Sequence, residues 1–125
     1  MPLLSDVGYY QSRHDALVAK IKNQEKIISD AIKKLAKMYV AEYSLESDAE
    51  INEGLCDEFA HDLKFIFPSV EVVWVDEIHP GMKRVAHAVA IFEGKYYDSE
   101  CPEGTETVSD IPFVVRHMNG VKEKQ

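Results

Sequence analysis

"VAHAVAIFEGKYYDSE", Val85–Glu100, is the stretch on which the fold turns. Two runs rich in β-branched and aromatic residues, Val85–Phe92 and Lys95–Glu100, flank the dipeptide Glu93–Gly94. Strand-formers on either side of a two-residue, glycine-containing connection make an antiparallel hairpin. Such a turn fixes the register: Phe92 faces Lys95, Ile91 faces Tyr96, Val89 faces Asp98 and His87 faces Glu100. Side chains two apart on a strand share a face, so His87, Val89, Asp98 and Glu100 lie on one side of the sheet. The imidazole then has two carboxylates within reach, Glu100 directly across and Asp98 on the diagonal. A slip of one residue would send them to opposite faces.

Upstream, "VEVVWV" (Val70–Val75) reads as a further strand, and "HPGMKR" (His79–Arg84) as a loop. A helix is expected to start near Gly54–Cys56, where Cys56, Phe59, Ala60 and Leu63 follow the i, i+3, i+4, i+7 rule of one helix face. Pro68 ends it, because the residue before proline avoids the α region. "SLESDAEINEG" (Ser44–Gly54) is a polar connector with a short helical turn. Before it the pattern predicts one long helix over about residues 10–42, with Ser12 and Asp15 as a capping box. Its apolar face is Leu17, Ile21, Ile28, Ala31, Leu35 and Met38, interrupted by Gln24. Packing on its own domain is the simpler reading of that face, with a weak homo-oligomer through the helix as the alternative. Lys33, Lys34 and Lys37 form a solvated face. Downstream, "CPEGTET" (Cys101–Thr107) reads as a turn-rich loop. Ser109 or Asp110 as N-cap, Pro112 early and Gly120 late then predict a short C-terminal helix. Helices followed by a strand meander and a last helix make an α+β fold with an antiparallel sheet, in a single domain over 1–125 with a core region of about 52–118.

The chain has 125 residues, with 14 basic against 22 acidic side chains and a net charge of −8. That balance supplies no broad phosphate-facing field, which argues against nucleic acid or an anionic membrane as partner. The opening "MPLLSDVGYY" has neither the basic segment nor the apolar run of a signal peptide, and no apolar run approaches a membrane span. The expectation is a cytoplasmic protein whose two cysteines stay reduced, although sequence leaves a Cys56–Cys101 disulfide open.

Three residues suggest chemistry. A thiol at a helix start is favoured as thiolate by the free N–H groups and the helix dipole. An imidazolium nearby favours the same anion, and a carboxylate beside the imidazole fixes its tautomer and stabilises its charge. Cys56, His87 and Asp98 supply these roles, while Glu100 competes to orient His87. The N–H groups around Cys56 could receive an oxyanion, with Asn52 as the nearest side-chain helper. Each residue alone has a plainer reading: Cys56 a small core residue, His87 an interior histidine, Asp98 a strand-end turn acid. A metal site is not expected, since Cys56, His61, His87 and Cys101 lack ligand spacing and His61 turns away from Cys56 on its helix. His14, His79 and His117 read as surface or cap residues, Cys101 as a half-buried thiol, and Trp74, Tyr96 and Tyr97 as core or cleft wall.

"GLCDEFA" followed by "AHAVAIFEGKYYDSE" resembles the core of papain-like cysteine peptidases of the transglutaminase-like kind, over roughly Asn52–Val114. Gly54, Cys56, Phe59, Ala60, His87 and Asp98 carry the resemblance. It implies a Cys56–His87–Asp98 triad, no cofactor, and hydrolysis or acyl transfer at an amide or thioester of a protein, peptide or small-amide substrate. The chain is small for a peptidase. A catalytically inactive papain-like binding module, or an interaction protein using the first helix, are the other functions compatible with the sequence.

Overall fold

The computed structural model describes residues 3–79, 81 and 86–123. Among the described residues, four α-helices accompany a four-stranded antiparallel sheet whose strands lie in chain order, β1-β2-β3-β4. The α+β class expected from the sequence is the class observed.

Helix α1, Leu3–Glu42, is a single helix of 40 residues, about 60 Å long at the α-helical rise. It starts well before Ser12, so Ser12 and Asp15 lie within it rather than at its N-terminus. Among the residues whose burial is described, the buried stripe Ile28, Ile32, Ala36 and Tyr39 lies in its C-terminal half. Leu17, Ile21 and Met38 are exposed, which corrects the face expected from the sequence. Leu17 and Ile21 point to about the same side of the helix as Ile28, but they sit on the part of α1 that precedes the buried stripe, where nothing covers that side among the described residues; Met38 is turned off the stripe.

A 3-10 helix, Asp48–Glu53, forms the helical turn of the polar connector, and α2 follows as Cys56–Ile66. Cys56, Phe59, Ala60 and Leu63 are its buried face, as their spacing dictates. The helix closes with the Phe67 N–H on the Leu63 carbonyl at 2.8 Å, just before Pro68.

Strand β1, Glu71–Trp74, gives way to a single helical turn, α3, Val75–Ile78, where the sequence had suggested strand through Val75 and then a loop. The Val75 N–H still donates to the His87 carbonyl at 2.8 Å, so the ladder extends one bond beyond the regular strand. Pro80 and residues 82–85 lie outside the described residues, and with them most of the expected loop and the Val85 end of the second strand.

Strands β2, Ala88–Phe92, and β3, Lys95–Asp98, form the expected hairpin. Glu93 at φ 50° and Gly94 at φ 77° both take the left-handed conformation, the requirement of a type I′ turn. Phe92 pairs with Lys95, Ile91 with Tyr96 and Ala90 with Tyr97. "CPEGTET" is not a loop. Cys101–Thr105 is strand β4, paired with β3. Proline is tolerated because β4 is an edge strand, where an absent N–H need not break the ladder. Gly104 sits at φ 76° under the Tyr97 ring, where an added Cβ would lie 2.7 Å from Tyr97 Cε1. Turn-like residues thus serve an edge strand with a close ring contact.

A 3-10 turn, Val108–Asp110, leads into α4, Pro112–Glu123. Pro112 opens the helix as expected. Ile111, rather than Ser109 or Asp110, immediately precedes it, and the Asp110 carboxylate instead accepts from Thr107 Oγ1 at 2.8 Å. The helix runs on through Gly120.

The two sheet faces bury different partners. Ala90, Phe92 and Tyr97 pack with α1 and α2 around Ile28, Ile32, Phe59 and Leu63. Val89 and Tyr96 face the other way, toward Ile111, Phe113 and Val114 at α4. By strand alternation His87 and Asp98 belong to the α4 face. Ala88 points back to α2, where it packs with Cys56 and Ala60. The start of β2 is therefore the place where a residue of α2 and a residue of the α4 face come together.

Candidate active site

Asp98 ends β3, His87 immediately precedes β2, and the I′ turn between the strands sets them side by side. His87 Nε2 is 3.0 Å from Asp98 Oδ2, with both side chains buried. A carboxylate only accepts, so the proton of this bond sits on Nε2. The other carboxylate oxygen, Oδ1, accepts from the Glu100 N–H at 2.9 Å, which fixes the carboxyl plane. His87 Nδ1 is buried and has no hydrogen-bond partner among the described residues. An unpaired buried ring nitrogen is costly, and such exceptions concentrate at chemically active places.

Cys56 is the first residue of α2, with Leu55 before it and no side chain capping the first turn. The helix-start N–H groups are therefore free for an anion. The Ala88 N–H also points at the thiol, 3.5 Å from Sγ. Burial pushes the Cys56 thiol up, but interaction with His87 and with the Ala88 and Asp57 N–H groups outweighs it and holds the thiol below its ordinary range. Burial likewise pulls His87 down, while Asp98 and then Cys56 act the other way and leave it raised. The two shifts favour one state, thiolate beside imidazolium.

Of the two carboxylates the sequence offered to His87, Asp98 makes the contact. Glu100 points elsewhere. Arg116 of α4 grips it through two bonds of 2.8 and 2.7 Å, and Asn52 Nδ2 donates to it at 2.9 Å. The Arg116 guanidinium holds the Glu100 carboxyl below the usual range, against partial burial. Asn52 Oδ1 accepts from Ser99 Oγ at 3.2 Å, so the Asn52 amide is engaged at both ends. Asn52 and Glu100 thus form a brace tying the 3-10 helix, the end of β3 and α4 together.

The thiol opens onto a cleft of about 470 Å³, walled by Gly54, Trp74, Phe113, Arg116 and His117 among others, a volume within the range of small-ligand sites. Glu53 and Asp57 also line it. Phe113 stacks on the His87 ring, with centroids 3.9 Å apart and planes 20° apart, and His117 lies on the other side of Phe113 at 4.1 Å. From sequence alone His117 reads as a surface or cap residue, and nothing singles out Phe113. Only the three-dimensional placement of α4 brings them here, and no local spacing signals it. Trp74 is a cleft wall, one of the two roles expected for it. Cys101 is buried and free, as Cys56 is, with no disulfide between them. Burial, then the nearby Asp98 charge, pushes the Cys101 thiol up to about 11. His61 bonds back to Asp57 on the exposed side of α2. No helix among the described residues is long and apolar enough to cross a membrane. No family model, curated protein or solved structure matches the chain.

Proposed function

We propose that this protein is a thiol-dependent hydrolase or acyltransferase acting on amides or thioesters through an acyl-enzyme. The observation that carries this reading is the buried His87–Asp98 pair next to Ala88, whose N–H lies 3.5 Å from the Cys56 thiol, at a helix N-terminus that opens to a cleft. In the reaction, Cys56 Sγ attacks the acyl carbon and forms the C–S bond, its proton residing on His87 Nδ1. The tetrahedral oxyanion is received by backbone N–H groups at the start of α2. His87 Nδ1 then gives its proton to the departing amine or thiol as the scissile bond breaks. Water, deprotonated by the same nitrogen, or a second amine releases the acyl group and restores the thiol. Asp98 holds the ring and stabilises its charge throughout.

Substrates of this reading are a protein, peptide or small amide, rather than nucleic acid or membrane lipid, and a reducing cytoplasm suits a free Cys56. An activated acyl ester with a chromogenic leaving group is the test. The expected result is a burst stoichiometric with enzyme and an acyl adduct located on Cys56 by mass spectrometry. Equal acylation rates in the wild type and in His87→Ala would sink the reading.

A further inference from the structure

We infer that Phe113 is a positioning residue, whose ring face holds the His87 imidazole flat and favours its charged form. The inference rests on the acyl-transfer reading for its purpose, but it is carried by separate geometry. The two rings are nearly parallel, 20° apart with centroids at 3.9 Å, and the His87 side chain is fully buried. An aromatic face carries the negative part of its quadrupole, so a cation lying on it is attracted, most strongly where water is excluded. An aliphatic side chain of the same volume would fill the space without that attraction.

Among the described residues, the other charged or titratable groups around the imidazole are few. Cys56 approaches from α2, and Asp98 bonds to it from β3. Glu100, beyond β3, is engaged by Arg116 and Asn52. From α4, His117 stacks on Phe113 rather than on His87, and Arg116 sits 6.0 Å over the Phe113 ring. Phe113 is the one side chain of α4 stacked on His87 among the described residues. The Arg116–Glu100–Asn52 brace ties α4, from the turn next to Phe113, to the end of β3.

The test reads the His87 ring by NMR titration and Cys56 by alkylation with iodoacetamide, both against pH, in the full chain. Phe113→Leu should lower the His87 midpoint by roughly half a pH unit to one unit and raise the Cys56 alkylation midpoint. Phe113→Tyr, which keeps the ring, should restore both. Val114→Ala, a cavity in the neighbouring buried residue of the same helix, should move neither. Unchanged midpoints in Phe113→Leu overturn the inference. Should that variant fail to fold, fluorinated phenylalanines at position 113 keep the shape while draining the ring face. The His87 midpoint should then fall with each added fluorine, and a flat series overturns the inference. The His87 titration is visible whether or not Cys56 reacts. A flat series with an activated Cys56 therefore sinks the role of Phe113 alone, and an unreactive Cys56 with a responsive series sinks the enzyme reading alone.

Discussion

Replacing Asp98 by asparagine isolates the charge of the buried pair while keeping its shape. The Glu100 N–H requires an acceptor at Oδ1. The new amide must therefore turn its NH₂ toward His87 Nε2, making that nitrogen the acceptor. The ring proton is then driven to Nδ1, where it can no longer be the base for Cys56. An opposite charge at 3.0 Å in a buried site is worth about 1–3 pH units of midpoint. The His87 midpoint should fall by that much, and Cys56 labelling at neutral pH should slow about tenfold per unit. Stability must follow with a definite sign. His87 is raised above its ordinary 6.5 in the folded state. Its contribution is therefore fully present below 6.5 and disappears as pH rises through the folded value. Urea unfolding of wild type and Asp98→Asn at about pH 6 and about pH 9 reads this directly, with a stability gap of about 1–4 kcal/mol at the lower pH that narrows at the higher. A gap independent of pH, or a His87 midpoint that does not move, would refute the coupling.

Further predictions concern the rest of the molecule. Cys101, pushed up to about 11, should be alkylated at neutral pH about a hundredfold more slowly than Cys56, or slower still, read by peptide mapping after timed labelling. Gly104→Ala forces a Cβ to 2.7 Å from the Tyr97 ring at a φ of 76° and should cost about 1–3 kcal/mol or more in urea, with Cys56 reactivity retained. Ile32→Ala removes a fully buried side chain and should cost about 2–5 kcal/mol. Leu17→Ala, on the half of α1 that lies outside the buried core, should cost less than about 0.5 kcal/mol. Equal losses for these two would contradict the described packing of the helix.

How much of this was legible depended on how local each cause was. The Glu93–Gly94 turn needs only its own two residues, and from it the register and the His87–Asp98 neighbourhood follow. The α2 face was equally readable, because Cys56, Phe59, Ala60 and Leu63 repeat at helical spacing. The start of α1 differs from expectation because Ser12 looks like a cap while nothing in "LLSDVGYYQ" stops a helix. Strand β4 differs from expectation because Pro102 and Gly104 are common turn residues that an edge strand with a ring over the glycine also accommodates. The choice between Asp98 and Glu100 was out of reach from sequence. It depends on Arg116 and Asn52, which come from distant elements and draw Glu100 away. Phe113 and His117 were hidden for the same reason, since their place in the cleft is a property of where α4 docks.

The pH dependence of Cys56 alkylation, in the wild type and in His87→Ala, tests the central claim most directly. The wild-type midpoint should fall below the ordinary thiol value of 9.0. In His87→Ala it should climb to that value or above, because burial remains after the stabilising imidazolium has gone. An ordinary or elevated wild-type midpoint that His87→Ala leaves in place would contradict the account.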